Sequence, residues 1–472
     1  MAQITPSAGY TLTLRVNIEN IPGSLGRLTS AIGRAGGDIG AVDLVEHRGK
    51  VMVRDITVKC RDEAHGQSIV RAARRVQGVE VRQVSDRTFD IHASGKISVT
   101  PRFPLKTRDD LSMAYTPGVA RISRAIADEP NRVWELTIKQ NSVAVLTDGT
   151  AVLGLGDVGP EAAMPVMEGK AMLFKEFADI DAYPICAQVS TPDELIAVAK
   201  AISPGFGGIN LEDIAAPACF AVEERLRAEL DIPVFHDDQH GTAVVVLGAM
   251  LNAAKVAGRR LEDMTVVFLG MGAAGVACTK LLLHVGIGDV IGCDRQGIVH
   301  TGRGDLHDQK RWIAEHTNTQ GVTGGVDDAL RGADAFVGVS GPNLVKTEWL
   351  AGMATDSIVF ALANPVPEIM PEEVPPNVRI VATGRSDYPN QINNVLVFPG
   401  FFRGLLDSRA SGVTIEMEEA AARALSSIVA EAELSEEYIV PSVFDRRVVE
   451  AIALAVQKVA ADQGLARVGR DD

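Results

Sequence analysis

The stretch Thr265-Val266-Val267-Phe268-Leu269-Gly270-Met271-Gly272-Ala273-Ala274-Gly275-Val276-Ala277 leaves this chain few ways to fold. A continuous apolar run reads as a strand buried on both faces, as in a parallel sheet. Glycines then punctuate a tight turn, and an Ala/Leu-rich helix leaves it, from Val276 to His284. A second apolar run, Val290-Ile291-Gly292-Cys293, ends at Asp294. Together these form a dinucleotide fingerprint. Gly270, Gly272, Ala273, Ala274 and Gly275 bring backbone to a pyrophosphate at a helix N-terminus, and Asp294 receives the ribose hydroxyls. That acid favours NAD over NADP, although Arg295 beside it could pair with a 2′-phosphate. Later apolar runs before Ser340, before Asn364 and at 380–384 complete a doubly wound α/β domain, with ligands expected at its carboxyl edge.

A second G-x-G-x-x-G, Gly154 to Gly159, follows Ala151-Val152-Leu153, which reads as a short strand. We discount it as a nucleotide site. Pro160 and Pro165 come at once, and a phosphate-binding helix should not carry a proline inside its first turns.

Two acidic pairs stand at the ends of short apolar runs. Glu212-Asp213 follows Gly208-Ile209-Asn210-Leu211, and Asp237-Asp238 follows Val234-Phe235-His236, with Gly241-Thr242-Ala243 opening a helix. Adjacent carboxylates repel unless a cation or base neutralises them, so a hard divalent ion is the first expectation. Lys170 sits on a helix among Met172, Leu173 and Phe174. Burial beside a cation would lower its pKa towards that of a useful base.

Residues 10–88 carry their own pattern. Thr11 to Ile18 alternates at period two, and strands and helices follow in the order βαββαβ of a ferredoxin-like sandwich. The turn Asn20-Ile21-Pro22-Gly23-Ser24-Leu25 and the Gly-Gly-Asp-Ile-Gly at 36–40 resemble an ACT domain. That resemblance implies a small effector at Asn20, Ile21, Pro22, Gly23 and Leu25, frequently across a dimer interface.

With 472 residues the chain is too long for one core. Its net charge of −15 argues against a nucleic-acid or acidic-membrane partner. Five scattered cysteines without a Cys-x-x-Cys fit free thiols rather than a disulfide framework. Neither a signal-like start nor a long apolar run is present, so a cytoplasmic protein is expected.

The segments Ala114-Tyr115-Thr116-Pro117-Gly118, Leu153-Gly154-Leu155-Gly156-Asp157, Glu168-Gly169-Lys170, Leu211-Glu212-Asp213, His236 to Ala243, Ala363-Asn364-Pro365 and Asn393-Asn394-Val395 resemble a malic enzyme of the shorter bacterial type. The resemblance implies an ACT-like domain (10–88), a substrate and metal domain (95–240) and a Rossmann-type NAD(P)-binding domain with C-terminal helices (241–472). It implies oxidative decarboxylation of (S)-malate to pyruvate and CO2 with NAD or NADP and Mn2+ or Mg2+. Matching the family's motifs, Lys170 is the base, Tyr115 the acid that reprotonates C3, and Asp237 the group that orients Lys170. Glu212, Asp213 and Asp238 match the metal ligands. Ser340 joins the cofactor site, Asn364 holds substrate and nicotinamide, and Asn393 or Asn394 holds substrate. His236 and His240 are left as supports of the acidic groups. One departure stands out: the animal enzymes place an Arg at the position of Ala151, which leaves the cation for malate's carboxylate unassigned, with a neighbouring subunit as one source. The assembly implied is a homodimer or larger. Alternatives are an oxaloacetate decarboxylase without net oxidation and a catalytically silent effector-binding protein.

Overall fold

The computed structural model describes residues 6–468, in two compact units, one ending at Ser98 and the other starting at Val99. In the first unit, β1 (Ser7–Glu19), β2 (Asp38–Arg48), β3 (Val51–Cys60) and β4 (Val79–Asp86) form an antiparallel sheet in the order β2-β3-β1-β4. The alternation of β1 sends Leu14, Val16 and Ile18 inward. There they meet Leu28 and Ile32 of helix Ser24–Arg34 and Ile69 and Ala73 of helix Glu63–Arg74. The βαββαβ order is the one expected, with β1 starting four residues earlier than the period-two signal.

Gly37 fixes how closely the first helix meets the sheet. A Cβ there would lie 2.7 Å from Val58 Cγ1, 2.9 Å from Ile32 Cγ2 and 3.0 Å from Ile69 Cδ1. The expected effector turn is partly spoken for. Asn20 Nδ2 donates to the Gly49 carbonyl at 3.2 Å and lies 3.0 Å from His47 Nε2, and Gly23 takes φ +87° to start the helix.

The second unit holds two parallel sheets. In the smaller, β5 (Ser142–Thr147), β6 (Asp181–Cys186), β7 (Gly208–Leu211) and β8 (Val234–His236) lie in the order β6-β5-β7-β8. In the larger, β9 (Thr265–Leu269), β10 (Asp289–Asp294), β11 (Gly297–Ile298), β12 (Ala335–Gly338), β13 (Ser357–Ala361) and β14 (Val378–Thr383) lie in the order β11-β10-β9-β12-β13-β14, parallel except for the short β11. Strand order reverses between β5 and β7 and between β9 and β12. Crevices that take ligands form at such switch points, outside the carboxyl ends of the strands.

A continuous apolar core joins the two sheets, and the C-terminal helices contribute to it. Helix Phe398–Asp407 returns to the smaller sheet, where Phe398 and Phe402 stand edge-on to Phe174 at 4.8 and 5.2 Å and Phe401 meets Phe235 at 4.7 Å. Among the described residues no helix is long and apolar enough to cross a membrane.

Two local expectations fail. Ala151–Leu153 is not a strand: β5 stops at Thr147, and Val152 makes only an isolated bridge to Gly156 across a tight loop. The proline argument fails too, since a helix runs from Pro160 through Pro165 to Ala178. Pro160 occupies the first-turn position that proline favours, and burial of Ala163, Met167, Ala171 and Phe174 offsets the bond lost at Pro165.

Replacing Gly37 by Ala should overpack the first unit's core and destabilise it by about 1–3 kcal/mol. Urea unfolding of the full chain, with circular dichroism as the probe, reads the effect. An unchanged first transition would show that the helix yields instead.

Candidate active site

The acidic pairs meet because β7 and β8 are parallel neighbours in the register Leu211↔His236. Each strand ends in two carboxylate residues, so equal ends bring all four together. Just past β8 the chain makes one turn of π-helix, Asp237–Gly241, before helix Thr242–Val256. Such wide turns recur at functional sites. Gly241 is required within it, because a Cβ there would collide with Asp237 Oδ1.

Among the described residues, Glu212, Asp213 and Asp238 place carboxylate oxygens within 4.8 Å of one another. The Asp213 backbone takes the left-handed conformation, φ +55°, and its N–H donates to Asp238 Oδ2 at 2.8 Å. Asn210 Nδ2 donates to Glu212 Oε2 at 2.8 Å. Burial, then the charge of Asp238, pushes the Asp213 carboxyl up to about 7. Burial likewise raises Glu212 well above the carboxylate range, against the pull of Lys170. Asp213 Oδ2 and Asp237 Oδ1 are buried without a hydrogen-bond partner. Converging, mutually repelling oxygens with unused lone pairs fit a hard divalent cation.

Lys170 comes to the same place from helix Pro160–Ala178. Its Nζ lies 2.6 Å from Asp237 Oδ2, 2.9 Å from Glu212 Oε1 and 4.2 Å from the centre of the Phe398 ring. The expected downward shift is that of an amine beside a cation, and the protein groups alone act the other way. Burial alone would depress the ammonium, but Asp237 and Glu212 outweigh it and hold the group above its usual range. Asn394 completes the constellation, with Nδ2 3.1 Å from Asp237 Oδ2 and 3.1 Å from Thr242 Oγ1. Asn393 does not share that role, since its side chain caps the following turn by accepting the Val395 N–H at 3.0 Å. Among the described residues no hydrogen bond joins Tyr115 to the cluster. Its side chain lies at the end of helix Arg108–Ala114, 66 % exposed.

Behind the acidic turn lies a network that sequence reasoning missed. Glu223, buried on helix Ala218–Glu229, accepts the His236 N–H at 3.1 Å, Gln239 Nε2 at 3.1 Å and His240 Nε2 at 2.8 Å, and pairs with Arg227 at 2.9 Å. His240 Nδ1 lies 2.8 Å from Glu418. Burial would raise Glu223, but Arg227 and His240 bring it down to about 2. Burial would depress His240, but Glu223 and Glu418 bring it up to about 9. A signal was present: Glu223 falls in line with Cys219 and Leu226 on the apolar face of its helix.

At the larger sheet, Gly270 turns with φ +112°, and a Cβ there would lie 2.5 Å from the Val339 carbonyl oxygen. Gly272 precedes helix Ala273–His284, which opens with Ala273, Ala274 and Gly275. Asp294, the acid expected to receive the ribose hydroxyls, is already paired within the chain. Arg303 grips both of its oxygens, at 2.8 and 3.1 Å, and Lys310 a third time at 2.6 Å. Neither cation was legible, since both come from the connection after β11. Arg295 forms no ion pair with it. Ser340 follows β12, and Asn364 follows β13, its carbonyl 2.9 Å from where a Gly154 Cβ would stand. The Gly154–Gly159 loop therefore faces the Asn364 loop across the cleft between the sheets.

Replacing Glu223 by Ala should destabilise the protein by about 3–5 kcal/mol, because His240 and Arg227 keep their charges without their buried partner. Chemical denaturation measures this, and a loss below ~1 kcal/mol would mean that the network relaxes without cost.

A family model for the malic enzyme N-terminal domain matches residues 94–193, one for the malic enzyme NAD-binding domain matches 239–461, and one for the ACT domain matches 6–81. The chain is 54% identical over 462 residues to an NAD-dependent malic enzyme of Geobacillus stearothermophilus, covering 98% of this chain and 96% of that one. It is 49% identical over 379 residues to a bifunctional malic/malolactic enzyme of Bacillus subtilis, covering 80% and 92%. A malic enzyme structure from Pyrococcus horikoshii superposes with a TM-score of 0.76 at 49% identity, covering 79% of this chain and 89% of that one.

Proposed function

The chain belongs to the malic enzyme family, and from that premise we propose that it oxidises (S)-malate and decarboxylates it to pyruvate and CO2 with NAD(P)+. The observation that carries this reading is the convergence of Lys170, Asp237, Glu212, Asp213 and Asp238 at the carboxyl ends of β7 and β8. NAD(P)+, when bound, accepts the hydride from C2. A Mn2+ or Mg2+ ion held by Glu212, Asp213 and Asp238 would supply a Lewis acid at the C2 oxygen.

The chain's own groups handle the protons. Lys170 takes the proton of the C2 hydroxyl as the C2–H bond gives up its electrons. Asp237, itself held by Asn394, aims the amine and supports the positive charge it gains. The C3 carboxylate then leaves as CO2, and its bonding electrons pass into the C2–C3 bond. Tyr115, supplied with a proton through Lys170, protonates C3 of the resulting enolpyruvate. Without an ion the Lys170 ammonium is the cation that balances Glu212 and Asp237. An ion on Glu212 would compete with the amine for that carboxylate, which would free Lys170 to act as a base.

The exposed side chains of Leu111, Met113, Tyr115, Val119 and Ile122, on helices that bury no residue, support a homodimer that covers this segment. Within it Tyr115 gains the partners that it lacks in the single chain. The ACT unit is assigned the binding of a small effector that modulates turnover. Asp294, neutralised by Arg303 and Lys310, supports NAD without excluding NADP.

Malate with Mn2+, assayed spectrophotometrically with NAD+ and with NADP+, should give nicotinamide reduction equal to the pyruvate formed; pyruvate without reduced cofactor would refute the reading. Lys170→Ala should lower kcat by at least about a thousand-fold while NADH still binds. Turnover near wild type would remove Lys170 from its role. The ion assignment has its own test. With the Asp213 carboxyl at about 7, an ion must displace a proton at pH 6 but not at pH 8, so Mn2+ should raise Tm more at pH 8. An equal shift at both would take Asp213 out of the ligand set.

A further inference from the structure

Among the described residues, Glu368 is the one carboxylate with an exposure of 0 % that the chemistry above leaves unused. It lies outside the acidic cluster, after β13, and makes no ion pair among the described residues. Burial pushes its carboxyl up, and N–H donors from Ser340 and Ala363 pull against that. Both of its oxygens are used. Oε1 accepts the Ser340 backbone N–H at 2.8 Å and the Ser340 hydroxyl at 3.3 Å, and Oε2 accepts the Ala363 N–H at 3.1 Å. Its own backbone carbonyl accepts the Val345 N–H at 3.0 Å. A buried, unpaired carboxylate is costly to keep in a fold, so its contacts call for an explanation.

Those contacts join the ends of two adjacent strands. Ser340 follows β12 beside the fingerprint turn, where a Gly270 Cβ would lie 3.1 Å from Ser340 Cβ. Ala363 precedes Asn364, whose carbonyl faces Gly154 and whose side chain crowds Gly384 at 2.6 Å from a notional Cβ. Backbone N–H groups at strand ends are free to turn towards a ligand or a neighbour, and each loop here surrenders one to the same carboxylate. Gly338, the last residue of β12, leaves the space that makes this possible: a Cβ there would lie 2.7 Å from Glu368 Oε2.

We propose that Glu368 is a positioning residue for the nucleotide, a carboxylate that clamps the Ser340 and Asn364 loops into one rigid edge facing the Gly270 turn. This rests on the assignment of that edge to NAD(P). Glu368 touches no reacting atom. Its effect is on how well the dinucleotide is received, since a loop that must be ordered on binding costs affinity.

The test uses the full-length protein and NADH as the probe, titrated by fluorescence without malate, beside steady-state kinetics with NAD+. Glu368→Gln keeps the shape but turns an N–H donor towards one of the two loop N–H groups. It should weaken NADH binding and raise the KM for NAD+ by about ten-fold, with kcat at saturating NAD+ within about three-fold of wild type. Gly338→Ala, which pushes a methyl group into the carboxylate from the other side, should do the same. Either variant, folded and binding NADH within two-fold of wild type, would overturn the proposal. So would a fall in kcat without a change in NADH affinity, or failure of both variants to fold. Because the titration involves no malate, wild-type protein that binds NADH but does not oxidise malate would fail the proposed function and leave the clamp to be judged on its own.

Discussion

The parallel pairing of β7 with β8 is the constraint on which the rest of the catalytic arrangement depends. Each strand alone ends in two carboxylates that would repel and splay into solvent. Paired in the register Leu211↔His236, they are forced together at the switch point of the smaller sheet. Three of the sheet's four strands, β5, β7 and β8, are buried at every residue, so the site inherits the rigidity of a core.

That concentration of negative charge has to be answered, and the fold does so on two sides. In front, Lys170 meets Glu212 and Asp237, and the proposed cation would answer Glu212, Asp213 and Asp238. Behind, Glu223 collects the His236 and Gln239 donors, His240 and Arg227, so the turn that carries Asp237 and Asp238 is hung from a second buried charge network. The π-turn is held at both ends: Asn394 grips Asp237 from one side and Glu418 grips His240 from the other. Both of these residues lie in the last quarter of the chain, as does Phe398 over Lys170. The C-terminal helices are thus part of the catalytic wall as well as packing.

The two halves of the second unit solve similar problems in the same way. A buried carboxylate, Glu223 in one and Glu368 in the other, accepts backbone N–H at a strand end, one group for Glu223 and two for Glu368, and ties down the chain beyond it. Glycines make room for acids in both halves, Gly241 for Asp237 and Gly338 for Glu368. The second G-x-G-x-x-G belongs to the same economy of space. Its first glycine allows the Asn364 loop to approach across the cleft, and no strand leads into it as a nucleotide site would need.

How much of this could be read in advance follows from the range of the forces involved. Local pattern determined the βαββαβ unit, the buried parallel strands, the fingerprint turn with its helix, and the strand-end location of both acidic pairs. Each of these is decided by neighbours a few residues apart, through side-chain period and turn chemistry. Tertiary structure alone decided the surroundings of Lys170, where burial and two carboxylates act on the amine in opposite senses according to their distances. It alone bound Asp294 to Arg303 and Lys310, set Asn394 against Asp237 while Asn393 caps the following turn, carried a helix through Pro165, and left Tyr115 exposed. Electrostatic and packing balances of that kind depend on which distant segments meet, and a linear pattern holds no record of the distances between them.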